Sequence, residues 1–293
     1  MDNLRQRFYF PDTDVRGEYV CLESALFPVL DARDYPLEIQ SQLGEALVAA
    51  CLLGGTLKFD GRLVLQAQGK GELSLLLAEA THDNTLRGLA QWKQPSAAGH
   101  LPGLRQLLGD DAMLAITLKP DRGREYQSLV PLESDDLAAC LGDYFAQSEQ
   151  LPTLIRLAFG NGRATGLLLQ RLPEQAADRD TNEDRWTTLE ALAGTLSTDE
   201  LLNLPVETLL HRLFHESPPV LAEPAPLHFA CTCTRERVER MLLSLGADAL
   251  HELIEEQQGA DVQCDFCRQN QHFEARELAD LIERLHQTAD RKH

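Results

Sequence analysis

The sequence has no apolar run approaching the ~18 residues of a membrane-spanning helix. Its start, Met1-Asp2-Asn3-Leu4-Arg5, lacks the basic-then-apolar layout of a secretory leader. The expected compartment is therefore the cytoplasm, where thiols are normally reduced. Positive charge is scarce: 27 basic side chains against 46 acidic ones give a net charge of -19. That charge repels phosphate backbones and anionic lipid, so neither nucleic acid nor membrane is an expected partner. There is no Gly-Lys-Ser/Thr phosphate loop, so ATP use is not indicated. The glycine cluster Gly160-Asn161-Gly162-Arg163-Ala164-Thr165-Gly166 runs into Leu167-Leu168-Leu169-Gln170 and Pro173. A dinucleotide loop needs a helix at that point, so the cluster reads as a hairpin turn. No Ser/His/Asp arrangement can be argued, and no residue is nominated as catalytic.

What is present suits a globular protein: 293 residues, 43% hydrophobic and 25% charged, enough for one large domain or two unequal ones. Leu37–Leu53 reads as a helix ending near Gly54-Gly55. Gly61–Gln68 alternates and reads as a strand, Leu73–Leu77 as a second, Ala112–Leu118 as a third. Ser134–Tyr144 has helical spacing with Ser134 as the expected N-cap. Thr153–Phe159 and Gly166–Leu172 flank Gly160-Asn161-Gly162 as a hairpin. The fold class is α+β: antiparallel strands with helices packed on them.

Composition shifts after Pro173. Residues 175–230 hold ten acidic and three basic side chains, the most negative stretch per residue. Asp178–Asp184 reads as an exposed linker, followed by helical pieces at Trp186–Leu196, Ser197–Leu202 and Pro205–His215. Their apolar residues, Trp186, Leu189, Leu209, Leu213 and Phe214 among them, need a surface to pack on. Without one, short helices are marginal in water. The expected organisation is an N-terminal core domain, 1–174, an acidic helical and metastable linker, 175–230, and a small C-terminal domain, 231–293.

Seven cysteines in a reducing compartment need a reason other than a static disulfide framework. Cys21, Cys51 and Cys140 sit among apolar residues and read as buried hydrophobes. The other four read Cys231-x-Cys233, thirty residues, Cys264-x-x-Cys267. Two close pairs across a short excursion form a zinc-ligand layout, since Zn²⁺ prefers four tetrahedral ligands and each pair spans one edge. Both pairs are complete without His251 or His272. A segment of 63 residues (231–293) also rarely builds a self-sufficient core without a staple. Zinc holds sulfur as thiolate, the form peroxide attacks. The site is thus either a structural staple, which composition alone favours, or a redox switch that ejects the metal. Cys264 and Cys267 have thioredoxin-like spacing and can close a disulfide; a Cys231–Cys233 bond would close a small strained ring.

Other constellations carry less. His211 and His215 share a helical face but have no third ligand nearby and read as solvent-facing. The neighbours Asp110-Asp111, Asp135-Asp136 and Glu255-Glu256 are poor acid/base dyads and read as solvated turns and faces.

The residues support a family resemblance. Glu207–Glu216, Phe229-Ala230-Cys231-Thr232-Cys233-Thr234-Arg235-Glu236-Arg237-Val238 and Val262-Gln263-Cys264-Asp265-Phe266-Cys267 closely resemble the 33 kDa chaperonin (heat shock protein 33) family. Upstream blocks agree, including Leu57–Leu63, Arg87-Gly88 and Tyr144–Thr153, so the likeness covers nearly the whole chain. It departs at Arg268, where the family pattern leads one to expect glycine, and over Gln269–Phe273. The resemblance implies an ATP-independent holdase, not an enzyme, with one zinc held by Cys231, Cys233, Cys264 and Cys267 in an inactive reduced form. It implies that peroxide with heat forms Cys231–Cys233 and Cys264–Cys267, releases zinc and unfolds the small domain and linker. The exposed surface then binds unfolding client proteins, commonly as a homodimer. Structural zinc contributes on the order of 10–16 kcal/mol to such domains, so its loss should unfold 231–293.

Overall fold

The computed structural model describes residues 3–11, 13–56, 60–93, 102–173 and 179–290, with the backbone alone at 179–182 and 288–290. The chain divides into two compact units, Met1–Ala230 and Cys231–His293. The first runs β1 (Asn3–Tyr9), β2 (Val15–Leu22), α1 (Phe27–Leu30), α2 (Leu37–Gly55), β3 (Gly61–Gln68), β4 (Leu73–Thr81) and β5 (Thr85–Trp92). It continues with α3 (Leu104–Leu108), β6 (Met113–Pro120), β7 (Tyr126–Pro131), α4 (Leu137–Gln147), β8 (Thr153–Gly160) and β9 (Arg163–Arg171). It closes with α5 (Arg179–Gly194), α6 (Thr198–Asn203), α7 (Val206–Phe214), β10 (Val220–Leu221), β11 (Ala225–Pro226) and β12 (His228–Phe229).

Two sheets enclose α2. One has the order β10-β1-β2-β9-β8 with β11 also on β1; the other runs β12-β5-β4-β3-β6-β7. All pairings are antiparallel except β12 on β5. Helix α2 is apolar almost all round, and every residue from Ala46 to Gly55 is buried, as befits a helix with a sheet on either side. Small residues allow the close approach. A side chain at Gly166 of β9 would meet Val48 Cγ1 at 2.5 Å, and one at Gly55 would meet Glu18 Oε2 at 2.0 Å. The glycines expected to end α2 therefore also make room for the β2 carboxylate. Arg7 Nη2 donates to Gly55 O at 2.7 Å, placing a cation at the helix C-terminus.

The first sheet is covered on both faces, which explains the unbroken run Ala164–Gln170 in β9. Val20, Leu22 and Leu168 face the α2 side. Tyr19, Cys21, Leu167 and Leu169 face the other, where α5, α6 and α7 pack. The apolar residues of the acidic segment find their surface here: Trp186, Leu189, Leu209 and Leu210 are buried, and Phe214 meets Phe10 edge-on at 5.0 Å.

Local expectations hold with shifts that have physical causes. The hairpin turn is Asn161-Gly162, both at positive φ (53° and 74°), so β9 begins at Arg163 and not at Gly166. The cap of α4 is Asp136, whose Oδ1 accepts from Ala138 N at 2.8 Å; Ser134 instead bonds Asp136 N and forms the turn before it. Ser197 and Glu200 make the capping box of α6. The stretch read as an exposed linker is helical from Arg179, and Asp178 lies outside the described residues. So do Met1-Asp2 of the leader reading and Leu57-Lys58-Phe59 of the quoted block. Among the described residues no helix is long and apolar enough to cross a membrane.

The second unit contains α8 (Arg235–Leu245), α9 (Ala247–Gln257), β13 (Gly259–Gln263), β14 (Asn270–Glu274) and α10 (Ala275–Asp290). Strands β13 and β14 form an antiparallel hairpin. Its core is small: Leu242, Leu250, Ala260, Phe273, Leu278, Leu281 and Ile282.

Candidate metal centre

The second cysteine pair lies in the hairpin turn. Gln263 pairs with Asn270. Between them Cys264 N donates to Gln269 O (3.0 Å) and Arg268 N to Cys264 O (2.9 Å). Closing so tight a turn puts Arg268 at φ 59°, the left-handed region that glycine occupies without cost. This gives the sequence departure at Arg268 a structural meaning.

The first pair precedes α8. Thr234 caps that helix, its side chain accepting from Arg237 N. Arg235 donates to His272 O at 3.1 Å and lies 4.1 Å above the Phe273 ring, which pins the segment to β14. Gln271 Nε2 donates to Cys233 O at 2.6 Å. The side-chain amide of Gln269 lies 3.8 Å from Cys233 Sγ. Sequence reasoning missed Arg235, Gln269 and Gln271 as positioning groups, because only the hairpin register brings them to the cysteines.

The two segments bring Cys231, Cys233, Cys264 and Cys267 together with all four Sγ atoms within 4.8 Å of one another. Cys231 Sγ is 3.6 Å from Cys264 Sγ, and Cys233 Sγ is 3.4 Å from Cys267 Sγ. Four sulfurs at ~2.3 Å from a tetrahedral metal would stand about 3.8 Å apart, so little movement separates this cluster from a ligand cage. All four cysteines are free and only partly buried. Burial raises the Cys231 and Cys233 thiols, and the neighbouring thiols raise Cys233 further. Burial acts the same way on Cys264, but the backbone amides of Cys267 and Phe266 and the adjacent thiols outweigh it and lower that thiol. Four clustered thiols thus resist joint ionisation until a cation neutralises them. The residues fit a thiophilic metal ion.

No other group of three or more His, Cys, Asp or Glu among the described residues is placed to hold a metal. His211 and His215 are exposed, and His272 Nδ1 faces Asp261 Oδ1 at 2.9 Å. Cys21, Cys51 and Cys140 are buried, as expected.

Fold and site define a class: an α+β protein whose small C-terminal unit carries four cysteines placed to hold a metal ion. The profile described as "Hsp33 protein" matches residues 3–274. The chain is 44% identical to the 33 kDa chaperonin of Hahella chejuensis over 281 residues, covering 96% of this chain and 97% of that one. It is 47% identical to the 33 kDa chaperonin of Pseudomonas paraeruginosa, covering 94% and 93%. The crystal structure of the 33 kDa chaperonin from Thermotoga maritima superimposes with a TM-score of 0.83 over 96% of this chain and 98% of that one, at 23% identity. The chain belongs to the Hsp33 family.

Proposed function

We propose that the protein is a redox-switched, ATP-independent holdase of the cytoplasm, kept inactive by one zinc ion. The observation that supports this most is the convergence of two separate cysteine pairs on one point of a unit with a small apolar core. Cys231, Cys233, Cys264 and Cys267 hold the zinc, which supplies the charge that lets all four be thiolates. Peroxide then oxidises Cys231 with Cys233 and Cys264 with Cys267. In each step a thiolate pair gives up two electrons as its S–S bond forms, and one peroxide, taking up two protons, breaks its O–O bond to become two waters. The metal loses its ligands, and residues 231–293 lose most of what holds them folded.

Residues 175–230 act as the linker that responds. Within 183–194 only Trp186, Leu189 and Ala193 are buried, so α5 is held by a narrow stripe. The surface so released binds unfolding clients, with the oxidised protein as a homodimer. Its acidic charge keeps the opened form soluble. The protein has no catalytic residues, and neither nucleic acid nor membrane is a partner.

Light scattering from a heat-unfolded client tests the proposal. Reduced, zinc-loaded protein should leave aggregation unchecked, and peroxide-treated protein should suppress it without ATP. Equal suppression in both states would reject the switch and leave a constitutive chaperone.

A further inference from the structure

The Tyr144–Thr153 block is one of the stretches that carry the family likeness, yet the metal centre makes no use of it. The structure places it at a cavity of about 290 Å³ in the first unit. The cavity has a simple origin. Helix α2 fills the space between the sheets and stops at Gly55. Beyond its last turn, β2 and β9 on one side and β3 and β6 on the other are left unfilled, and α4 with the following residues closes the gap.

The lining is amphiphilic. Leu53, Leu63, Ile116, Leu118, Phe145 and Leu151 supply an apolar body. Arg16 and Gln170 supply a polar end on the first sheet, with Arg16 Nη2 and Nε donating to Gln170 Oε1 at 2.7 and 3.2 Å. Gln170 is a neutral acceptor and does not compensate the guanidinium charge, which is balanced only by Glu18, a carboxylate that also faces Arg5 and Arg7. Burial lowers the Arg16 guanidinium, with Glu18 opposing and Arg7 adding to the effect. The neighbouring charges are unbalanced: Arg5, Arg7 and Arg16 surround one carboxylate, Glu18, whose Oε1 already faces Arg7 Nε at 3.3 Å. The other acid at the cavity, Glu149, is exposed and accepts from the Tyr144 hydroxyl at 2.6 Å. A half-buried arginine with a neutral partner beside an apolar chamber is the arrangement that recognises a small amphiphilic anion.

We infer that the cavity between the two sheets at the end of α2 binds a small amphiphilic carboxylate, its carboxylate on Arg16 and its hydrocarbon body among Leu63, Ile116, Leu118 and Phe145. The volume limits the ligand to a short chain, since drug-sized sites run to roughly 300–1,000 Å³. The ligand binds the folded first unit and stabilises it by mass action.

The test uses the reduced, metal-loaded full chain and octanoate as the probe, followed by calorimetry and by amide and methyl shifts. Saturable binding is expected, with shifts centred on Arg16, Ile116, Phe145 and Gln170. Octanol should bind at least tenfold more weakly, and octylammonium not measurably. Arg16→Gln should lower octanoate affinity at least tenfold while leaving octanol unchanged. Leu118→Trp should abolish both; if that variant does not fold, the comparison of the three wild-type ligands decides alone. No saturation up to the solubility of octanoate would overturn the inference. So would equal binding of octanoate and octanol, or preferred binding of octylammonium, which would make Glu149 the partner.

Discussion

Replacing Cys264 and Cys267 together by serine should unfold the second unit and leave the first intact. The change removes two of four ligands and one sulfur from each close contact, Cys231–Cys264 and Cys233–Cys267. What remains is the core of Leu242, Leu250, Ala260, Phe273, Leu278, Leu281 and Ile282. A core in a chain segment this short seldom supplies more than about 3–5 kcal/mol, and set against the entropy of ordering the chain its balance is near zero. A structural four-thiolate zinc contributes on the order of 10–16 kcal/mol. If the metal holds the unit at an ordinary stability of ~5–15 kcal/mol, its loss leaves the folded form a minor species. Amide exchange read by mass spectrometry checks this directly. Peptides from α8, α9 and α10 should exchange at unprotected rates in the variant, while peptides from α2 keep their protection. Metal analysis on the same samples should show zinc absent. Full protection of Arg235–Leu285 in a metal-free variant would refute the reasoning, because the core would then suffice alone.

Further outcomes follow from particular residues. Arg268→Gly should relieve a left-handed conformation worth about 1 kcal/mol, so competition with a chromophoric chelator should show zinc held a few-fold more tightly. Disulfide mapping after peroxide should find Cys231–Cys233 and Cys264–Cys267 although the closest sulfurs lie across the pairs. Once the unit opens, closing a loop across a separation of 33 residues costs about 2 kcal/mol more than closing a short one, and a dominant Cys231–Cys264 product would contradict that. Glu45 should make the first unit less stable as pH rises. Burial, with Asp136 adding, lifts its carboxyl to about 7, above its unfolded value of ~4.3. The fold therefore favours the proton, and stability is lost between pH ~4.3 and ~7 by up to about 4 kcal/mol. Glu18, also lifted to about 7 by burial, acts in the same direction, so Glu45→Gln should reduce the slope of the urea-midpoint profile over that range without removing it, and an unchanged slope would remove Glu45 as a cause. In a Trp92→Phe background, the emission of buried Trp186 should shift to the red on oxidation. An unshifted spectrum after zinc release would mean that α5 stays docked.

The sequence made the strongest local signals readable and the long-range ones not. Helix α2, the strand β3, the Asn161-Gly162 hairpin and the capping box at Ser197 each follow from a pattern contained in a dozen residues. The four cysteines were legible because their spacing is itself the chemistry. Strands β1, β2, β5 and β7 were not seen. β2 carries Arg16 and Glu18 among apolar residues, and both polar groups face the α2 side, where period-two alternation breaks down. Nor could the sequence say what covers Trp186 and Phe214, since Phe8, Phe10 and Leu169 of the same cluster lie on β1, just after it and on β9, all distant in the chain. Gln269 and Gln271 became visible only through the β13–β14 register.

The location of that covering surface bears on how the proposed switch transmits. Helices α5, α6 and α7 rest on the first sheet, within the first unit. The chain passes from the first unit to the second at Ala230–Cys231. Ala230 precedes Cys231, and the chain behind it returns through β12, β11 and β10, strands of two residues each. Each adds few hydrogen bonds to β5 or β1, and short edge strands open at low local free energy. In the proposed switch, fraying would run backwards from Cys231, through β12 to β10, and reach α7 before α5. Helix α7 is the firmer obstacle, with Leu209, Leu210 and Phe214 almost fully buried and Phe214 locked against Phe10. Truncating a buried Phe to Ala typically costs about 3–5 kcal/mol. The Phe214–Phe10 contact is thus the point at which, in the proposed switch, unfolding of the second unit would either stop or continue into the acidic helices.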